Sequence, residues 1–128
     1  MLQLVYTAGF GFECVSIGEV RHVRQLFGVK ATILFTPNFA DRAELRQGRD
    51  EATFLCIDAI HPLEHWGSDL TGTAILLRID LGWGGGHHKH VVTGGKRSKF
   101  GIGVRDLPKA IALCKQHGIT IVGLHNHS

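Results

Sequence analysis

The sequence has no apolar run long enough to cross a lipid bilayer. A membrane-spanning helix needs roughly 18 or more consecutive apolar residues, whereas the apolar stretches here are interrupted by Asp58, Arg78 and Asp80. The opening segment, MLQLVYTAGF, has neither a basic region nor a cleavage site, so we expect no signal peptide. We therefore predict that the chain has no membrane partner.

Cysteine is scarce, and its spacing argues against disulfide bonds. The chain has three cysteines, Cys14, Cys56 and Cys114, each in an apolar segment and far from the others. An odd number of widely spaced cysteines does not form a disulfide framework. Reduced thiols are typical of proteins kept in a reducing compartment. We therefore predict three free thiols and a cytoplasmic location.

Charge of one sign is not concentrated in any part of the chain except residues 89–99. The sequence carries 14 Lys and Arg against 11 Asp and Glu, a formal net charge of +3. The basic cluster at 89–99 lacks the interleaved aromatics and the recognition-helix pattern of nucleic-acid-binding domains. A modest positive balance is typical of a solvated surface. We therefore predict no nucleic-acid partner.

Length and composition are those of one soluble globular domain. A chain of 128 residues, 44% hydrophobic and 20% charged, is large enough to bury a core. We expect residues 1–128 to form part of a single domain, with no second domain.

Glycine and histidine, in contrast, are concentrated after the longest apolar stretch. Eight of the 17 glycines fall between Gly82 and Gly103. The segment contains neither G-x-G-x-x-G nor G-x-x-x-x-G-K-[ST], so a nucleotide site is disfavoured. His87, His88 and His90 suggest a zinc or nickel site. No cysteine or carboxylate lies close to them in sequence, so we predict no metal, and a metal-binding module remains an alternative from another functional class.

The apolar pattern predicts strands that alternate with helices. Five β-rich segments are predicted as strands: Phe12–Val15, Thr32–Thr36, Thr53–Ile57, Thr73–Leu81 and Ile119–Leu124. A short amphipathic helix is predicted before the first strand, ending at Ala8-Gly9. Another short helix is predicted after Asp58, with Ile60, Leu63 and Trp66 facing inward.

Capping signals place the longer helices. Ser16 to Glu19 reads S-x-x-E, a capping box that opens a helix ending at Gly28. Asp41 is predicted to cap a helix that ends near Gly48. Asp106 is predicted to cap the last helix, whose apolar stripe has i, i+3, i+4 and i+7 spacing and consists of Leu107, Ala110, Ile111 and Cys114.

Strands with near-continuous hydrophobicity indicate parallel pairing with both faces buried. Two α/β architectures fit this alternation, a doubly wound flavodoxin-like sheet and a (β/α)₈ barrel. The regular spacing of about 20 residues per unit and the polar residues at strand ends favour the barrel, which places its chemistry at carboxyl strand ends. Because a whole barrel needs about 250 residues, we predict about half of a TIM-type barrel and expect the chain to be a fragment.

Charged and imidazole side chains interrupt the predicted strands. Arg78 lies within a buried strand and needs an anionic partner, for which Asp80 on the same face is a candidate. Glu13 likewise interrupts the first strand near its carboxyl end. His125 and His127 lie on one side of the last strand end.

These residues fall in motifs that resemble a known family. The chain is similar to the barrel region of fold-type III, pyridoxal-phosphate (PLP) dependent decarboxylases, whose barrel is of the alanine-racemase type. Within that family the resemblance is greatest to the diaminopimelate decarboxylases, in particular those joined to an aspartate kinase. The motifs, in order, are GFECVSIGE at 11–19, RID at 78–80, GHHKHVVTGG at 86–95, SKFGI at 98–102 and GLHNH at 123–127.

The resemblance implies roles for residues of this chain. His127 matches the histidine that packs against the pyridine ring of PLP, and Arg78 matches an arginine beneath the cofactor. Glu13 matches an acidic cofactor-binding position. Glu19, His125 and Lys99 match positions at the active-site rim or the dimer interface.

The resemblance also implies an activity and its limits. The family's Schiff-base lysine lies in a Y-A-x-K-A-N-like motif upstream of residue 1, so no catalytic residue is assigned within the chain, and we expect residues 1–128 alone to be inactive. The implied reaction of the intact enzyme converts meso-diaminopimelate to L-lysine and CO₂. PLP is the implied cofactor, the partner is a small-molecule amino-acid substrate, and the assembly is a homodimer. A related decarboxylase acting on ornithine, arginine or carboxynorspermidine is the alternative.

Overall fold

A computed structural model of the chain describes residues 1–81 and 100–127. The predicted His87, His88 and His90 cluster and Lys99 lie outside the described residues. The chain divides into two compact units, Met1–Leu55 and Cys56–Ser128. No helix among the described residues is long and apolar enough to cross a membrane.

The first unit alternates helices with parallel strands. Its elements are α1 (Leu2–Thr7), β1 (Phe12–Cys14), α2 (Ile17–Phe27), β2 (Ile33–Phe35), α3 (Arg42–Glu51) and the start of β3 (Phe54–Ile57). β2 pairs with β1 on one side and with β3 on the other, and both pairings are parallel. In register, Cys14 lies opposite Phe35, which in turn lies opposite Leu55. The predicted strands and helices of residues 1–55 are confirmed, with shifts of a few residues at their ends.

Helix α2 begins and ends where its capping residues predict. The Ser16 hydroxyl accepts a hydrogen bond from the Glu19 amide at 3.2 Å, satisfying one free N–H of the first turn. At the other end Gly28 has a φ of 69°, which glycine adopts without steric cost. The buried face of α2 consists of Ile17, Val20 and Val23.

Helix α3 runs beyond its predicted end. Asp41 and Glu44 form a reciprocal capping box, as the sequence indicates. The predicted end near Gly48 is wrong, because the helix continues to Glu51. Gly48 is buried, and a Cβ there would overlap the ring of Phe35. The glycine therefore allows the helix to approach β2 closely and does not mark the helix end.

Arg24 holds together the loops at the amino ends of β2 and β3. Its guanidinium donates hydrogen bonds to the carbonyl oxygens of Ala31 at 2.7 Å and Glu51 at 2.8 Å. It also donates to the carbonyl oxygens of Gly28 and Val29 and to Thr53 Oγ1. Helix ends leave carbonyl groups without intrahelical partners. This one side chain therefore satisfies the carboxyl ends of both α2 and α3.

The second unit repeats the alternation. Its elements are the end of β3, α4 (Ile60–Trp66), β4 (Ala74–Asp80), β5 (Ile102–Gly103), α5 (Leu107–His117) and β6 (Thr120–His125). β4, the longest described strand, pairs in parallel with β6 along most of its length and with β5 at its carboxyl end. The two-residue strand β5 is not predicted from the sequence, because it is too short to show an apolar period.

Three details of the second unit correct the predictions. Asp106 precedes α5, but its side chain makes no capping hydrogen bond. Ile111, predicted in the apolar stripe, is 48% exposed, while Ala110 and Cys114 are buried. Strand β6 is not buried on both faces, since its residues alternate between half-buried and exposed. Within the described chain it pairs along one edge only, with β4.

All three cysteines, Cys14, Cys56 and Cys114, are buried and free. The prediction that no disulfide forms is therefore confirmed.

Candidate functional site

A cavity of about 470 Å³ lies beside β1 in the first unit. Ligand pockets typically have volumes of about 300–1,000 Å³, so this cavity is of suitable size for a small cofactor or substrate. Its wall brings together two of the predicted site residues, Glu13 and Glu19. The other lining residues are Leu2, Phe12, Cys14, Ser16, Gly18, His22 and Val23.

Glu13 is held at the cavity by the next strand. Phe12 and Cys14 point into the core, and strand alternation turns Glu13 the other way, where it is exposed. The buried hydroxyl of Thr36 donates a hydrogen bond to Glu13 Oε1 at 3.0 Å. Thr36 is itself held in place, because its amide donates to the Cys14 carbonyl at 2.8 Å. Glu13 is thus a carboxylate oriented by a buried hydroxyl group.

Glu19 has a local structural role as well. Its Oε2 accepts a hydrogen bond from the Val15 amide at 2.7 Å, one residue before the helix cap Ser16. An acidic side chain in the first turn is favoured by the helix dipole. The carboxylate therefore both stabilises the start of α2 and contributes negative charge to the cavity wall.

The Cys14 thiol in the cavity wall is not activated. Burial raises its pKa above the ordinary value, and the carboxylates of Glu19 and Glu13 raise it further, against an opposite effect of Arg24. A raised pKa lowers the fraction of thiolate, which is the nucleophilic form. Cys14 is therefore a protonated core residue.

In the second unit Arg78 is a buried cation near the carboxyl end of β4. Arg78 is only 7% exposed. Its guanidinium carbon lies 5.2 Å from the centre of the Phe100 ring, which is the geometry of a cation–π interaction. Desolvating a guanidinium is costly unless partners offset the loss of water. Pairing of Arg78 with Asp80 stays a prediction.

The predicted histidines lie at the end of the adjacent strand. His125 is the register partner of Arg78 across the β4–β6 pair and is half-buried. Asn126 follows it, and its side-chain amide donates to the Ile79 carbonyl at 3.0 Å. His127, two residues beyond His125, is exposed. The end of β6 is thus fixed to β4, with one imidazole beside Arg78 and the other exposed to solvent.

The backbone after Phe100 is fitted closely to the end of β4. The Gly101 amide donates to the carbonyl of buried Asp58 at 2.9 Å. Gly101 has a φ of 91°, and a Cβ there would lie 2.9 Å from the Asp80 amide nitrogen. Only glycine fits this position, and this placement fixes Phe100 against Arg78.

No group of three or more His, Cys, Asp or Glu suited to a metal ion occurs in residues 1–81 and 100–127. The loop histidines fall outside these ranges. Three contacts at these sites are not predicted from the sequence. They are made by Thr36, Phe100 and Asn126. Thr36 and Asn126 are polar residues at the ends of predicted strands, whereas nothing in the sequence indicates that Phe100 contacts Arg78.

The solved structures that this chain resembles define its fold. A crystal structure of a diaminopimelate decarboxylase superposes with a TM-score of 0.82 at 30% identity, covering 98% of this chain and 31% of that one. The enzyme from Helicobacter pylori, complexed with L-lysine, gives a TM-score of 0.86 at 25% identity, covering 98% and 34%. The chain therefore has the fold of part of a decarboxylase α/β barrel. The prediction of a partial barrel is confirmed over the flavodoxin-like alternative.

Sequence comparison identifies the family. The family model described as pyridoxal-dependent decarboxylase, pyridoxal binding domain, matches residues 1–128, so the chain belongs to this family. The diaminopimelate decarboxylase of Escherichia coli K12 is 30% identical over 131 residues, covering 99% of this chain and 31% of the relative. The Streptomyces coelicolor enzyme is also 30% identical. The chain thus spans about a third of the length of these relatives.

The predicted cofactor, PLP, is confirmed by the family match. The residues present fit such a group chemically. PLP is anionic and aromatic, and the second unit offers a buried guanidinium in Arg78 and an exposed imidazole in His127. The first unit separately offers an oriented carboxylate in Glu13. Each lies at or near the carboxyl end of its own strand, where barrel enzymes place their chemistry.

Proposed function

We propose that this chain supplies part of the PLP site of a decarboxylase that converts meso-diaminopimelate to L-lysine and CO₂. The observation that carries the proposal is that relatives named diaminopimelate decarboxylase match 99% of the chain at 30% identity. The Helicobacter pylori neighbour, which carries the same name, is complexed with L-lysine, the product of this reaction.

Three residues of the chain serve the cofactor in this proposal. Arg78, held in position by Phe100, would offer PLP a fixed positive charge. His127 would offer the cofactor an imidazole ring, on a strand end that Asn126 fixes. Glu13 presents a carboxylate whose direction is set by Thr36. Bound PLP supplies an electron sink for the bond that loses CO₂.

The remaining assignments complete the proposal. Residues 1–128 belong to a single barrel domain, and the assembly is a homodimer with Lys99 at the active-site mouth. Glu19 and His125 lie at the rim of the site. The three free cysteines support a cytoplasmic location, because buried reduced thiols are typical of reducing compartments. Fusion to an aspartate kinase stays a prediction.

The main competing substrates are ornithine, arginine and carboxynorspermidine. The arginine decarboxylase of Paramecium bursaria Chlorella virus superposes with a TM-score of 0.79, but at 20% identity this likeness supports the fold alone. The relatives of higher identity carry the name diaminopimelate decarboxylase, which favours that substrate.

A substrate panel tests the proposal. The whole protein that contains these residues is incubated with PLP and one amino acid at a time, and CO₂ and the amine product are measured. We expect turnover of meso-diaminopimelate to L-lysine, with little turnover of ornithine, arginine or carboxynorspermidine. Preferred turnover of one of those three, or of none of the four, would contradict it.

A further inference from the structure

Helix α4 carries a pair of histidines that the proposed PLP site does not use. His61 and His65 are four residues apart, so they lie on the same face of the helix. Both side chains are exposed. Their rings are stacked, with centroids 4.2 Å apart and planes within 11°. The nitrogen lone pairs lie in the ring planes, so binding of one ion by both rings requires one of these exposed side chains to turn. The local sequence, HPLEH at 61–65, has the H-x-x-E-H spacing that places two imidazoles together on helices in some zinc enzymes.

One of the two rings has its metal-binding nitrogen assigned by a hydrogen bond. His65 Nδ1 lies 3.2 Å from the carbonyl oxygen of His61. Because a carbonyl oxygen only accepts, Nδ1 carries the proton, and the lone pair of the neutral ring is on Nε2. A backbone carbonyl that accepts from one ring nitrogen is the usual partner of a histidine that binds metal through the other.

The acidic residue of the motif is engaged elsewhere. Glu64 forms an ion pair with Lys109, which joins α4 to α5. Glu64 therefore supplies nearby negative charge, and the ligand atoms are the two imidazole nitrogens.

We propose that His61 and His65 form a binding site for a divalent first-row transition metal ion, with water completing the coordination. Among the described residues no third histidine, cysteine or carboxylate completes a metal-binding group here. The site is therefore open and weaker than a structural zinc centre, which has four protein ligands. Imidazole sites bind Cu²⁺ more tightly than Zn²⁺.

Trp66 provides a reporter for this site. Its ring contacts His61 edge-on, with centroids 5.0 Å apart. A paramagnetic Cu²⁺ ion held by the two histidines would lie close enough to quench the fluorescence of Trp66. Trp83 and the histidines of 87–90 are removed for the test, and the contribution of α4 is measured as the quenching that the His61→Gln and His65→Gln variants lose.

The experiment titrates CuCl₂ into the whole protein, purified without an affinity tag, in a background carrying Trp83→Phe and His87, His88 and His90 each changed to Gln. We expect saturable quenching of Trp66 and tighter binding of Cu²⁺ than of ZnCl₂ in competition. His61→Gln or His65→Gln should each weaken binding by about tenfold or more, since each removes one of two protein ligands. His22→Gln, on α2, is the matched control and should leave binding unchanged.

Two results would overturn the proposal. One is quenching that persists with equal affinity in the His61→Gln and His65→Gln variants. The other is a background protein that no longer binds while the unsubstituted protein does, which would assign the metal to the 87–90 histidines. If a variant fails to fold, histidine NMR of the unsubstituted protein with ZnCl₂ decides the matter. The proposal then requires the ring signals of both His61 and His65 to shift, and unchanged signals would contradict it.

Discussion

The guanidinium of Arg78 lies over the ring of Phe100, 5.2 Å from its centre, in a part of the structure where Arg78 is only 7% exposed. The aromatic face partly replaces the water that burial removes from the cation. Gly101 directly follows Phe100 and adopts a backbone conformation that other residues rarely adopt. This conformation makes the contact between Phe100 and Arg78 possible. The positive charge is therefore fixed in place before any ligand arrives.

Replacing Phe100 with Leu should destabilise the protein by about 1–2 kcal/mol, since a desolvated cation–π contact is lost while most of the apolar volume is kept. Chemical denaturation of the whole protein measures this change. Phe10→Leu is the matched control, because Phe10 is 68% exposed, and it should have little effect. Equal losses in the two variants would show that the ring does not stabilise Arg78.

Arg24→Ala should destabilise the protein by about 3 kcal/mol, because carbonyl groups at two helix ends lose a charged donor together. Arg24→Lys should recover little of this loss, since an ammonium group cannot reproduce the planar array of donors. Urea denaturation measures both variants. Arg21→Ala, which removes an ion pair with Glu51 at the exposed surface, should change stability little. An Arg24→Ala protein as stable as Arg21→Ala would contradict the role given to Arg24.

Gly48→Ala should lower stability by about 1–3 kcal/mol, although alanine favours helix, because the added methyl group overlaps the Phe35 ring. The matched control is Gly18→Ala in α2, where the nearest atom to the new methyl is 3.8 Å away. That change should be neutral or stabilising by up to about 1 kcal/mol. Thermal denaturation distinguishes the two, and stabilisation by Gly48→Ala would show that the contact with Phe35 is not close.

The thiol of Cys14 should titrate above the ordinary cysteine pKa of about 8.5. Burial, reinforced by Glu19 and Glu13, favours the protonated form. A raised pKa leaves less thiolate at a given pH. Alkylation of Cys14 should therefore shift to higher pH. Mass spectrometry of iodoacetamide-treated protein, over a pH series, measures the midpoint at Cys14. A midpoint at or below that of the unfolded chain would contradict the assignment.

The helices and strands follow from local signals, whereas several contacts of the sites do not. The capping residues Ser16 and Asp41 and the apolar strands are visible in the sequence, because they depend on neighbours within one turn or on alternation. The helix end predicted near Gly48 is wrong, because the role of this glycine depends on the ring of Phe35, which is distant in sequence.

The candidate sites show the same limit. Arg78 and Glu13 are recognisable as charged residues in apolar strands, and the family motifs add His127. Their supporting partners, Phe100 and Thr36, are 22 or more residues away in sequence and are set only by tertiary packing. Periodicity and short motifs carry no information about such contacts.

Binding of PLP by the whole protein tests the central claim most directly. Equilibrium dialysis against PLP should show saturable binding. Arg78→Met and His127→Ala should each weaken it by about tenfold or more, in line with the loss of a charged hydrogen bond or a ring contact. Phe10→Leu should bind as the unsubstituted protein does. Failure to bind PLP, or equal binding in all of these variants, would contradict the account.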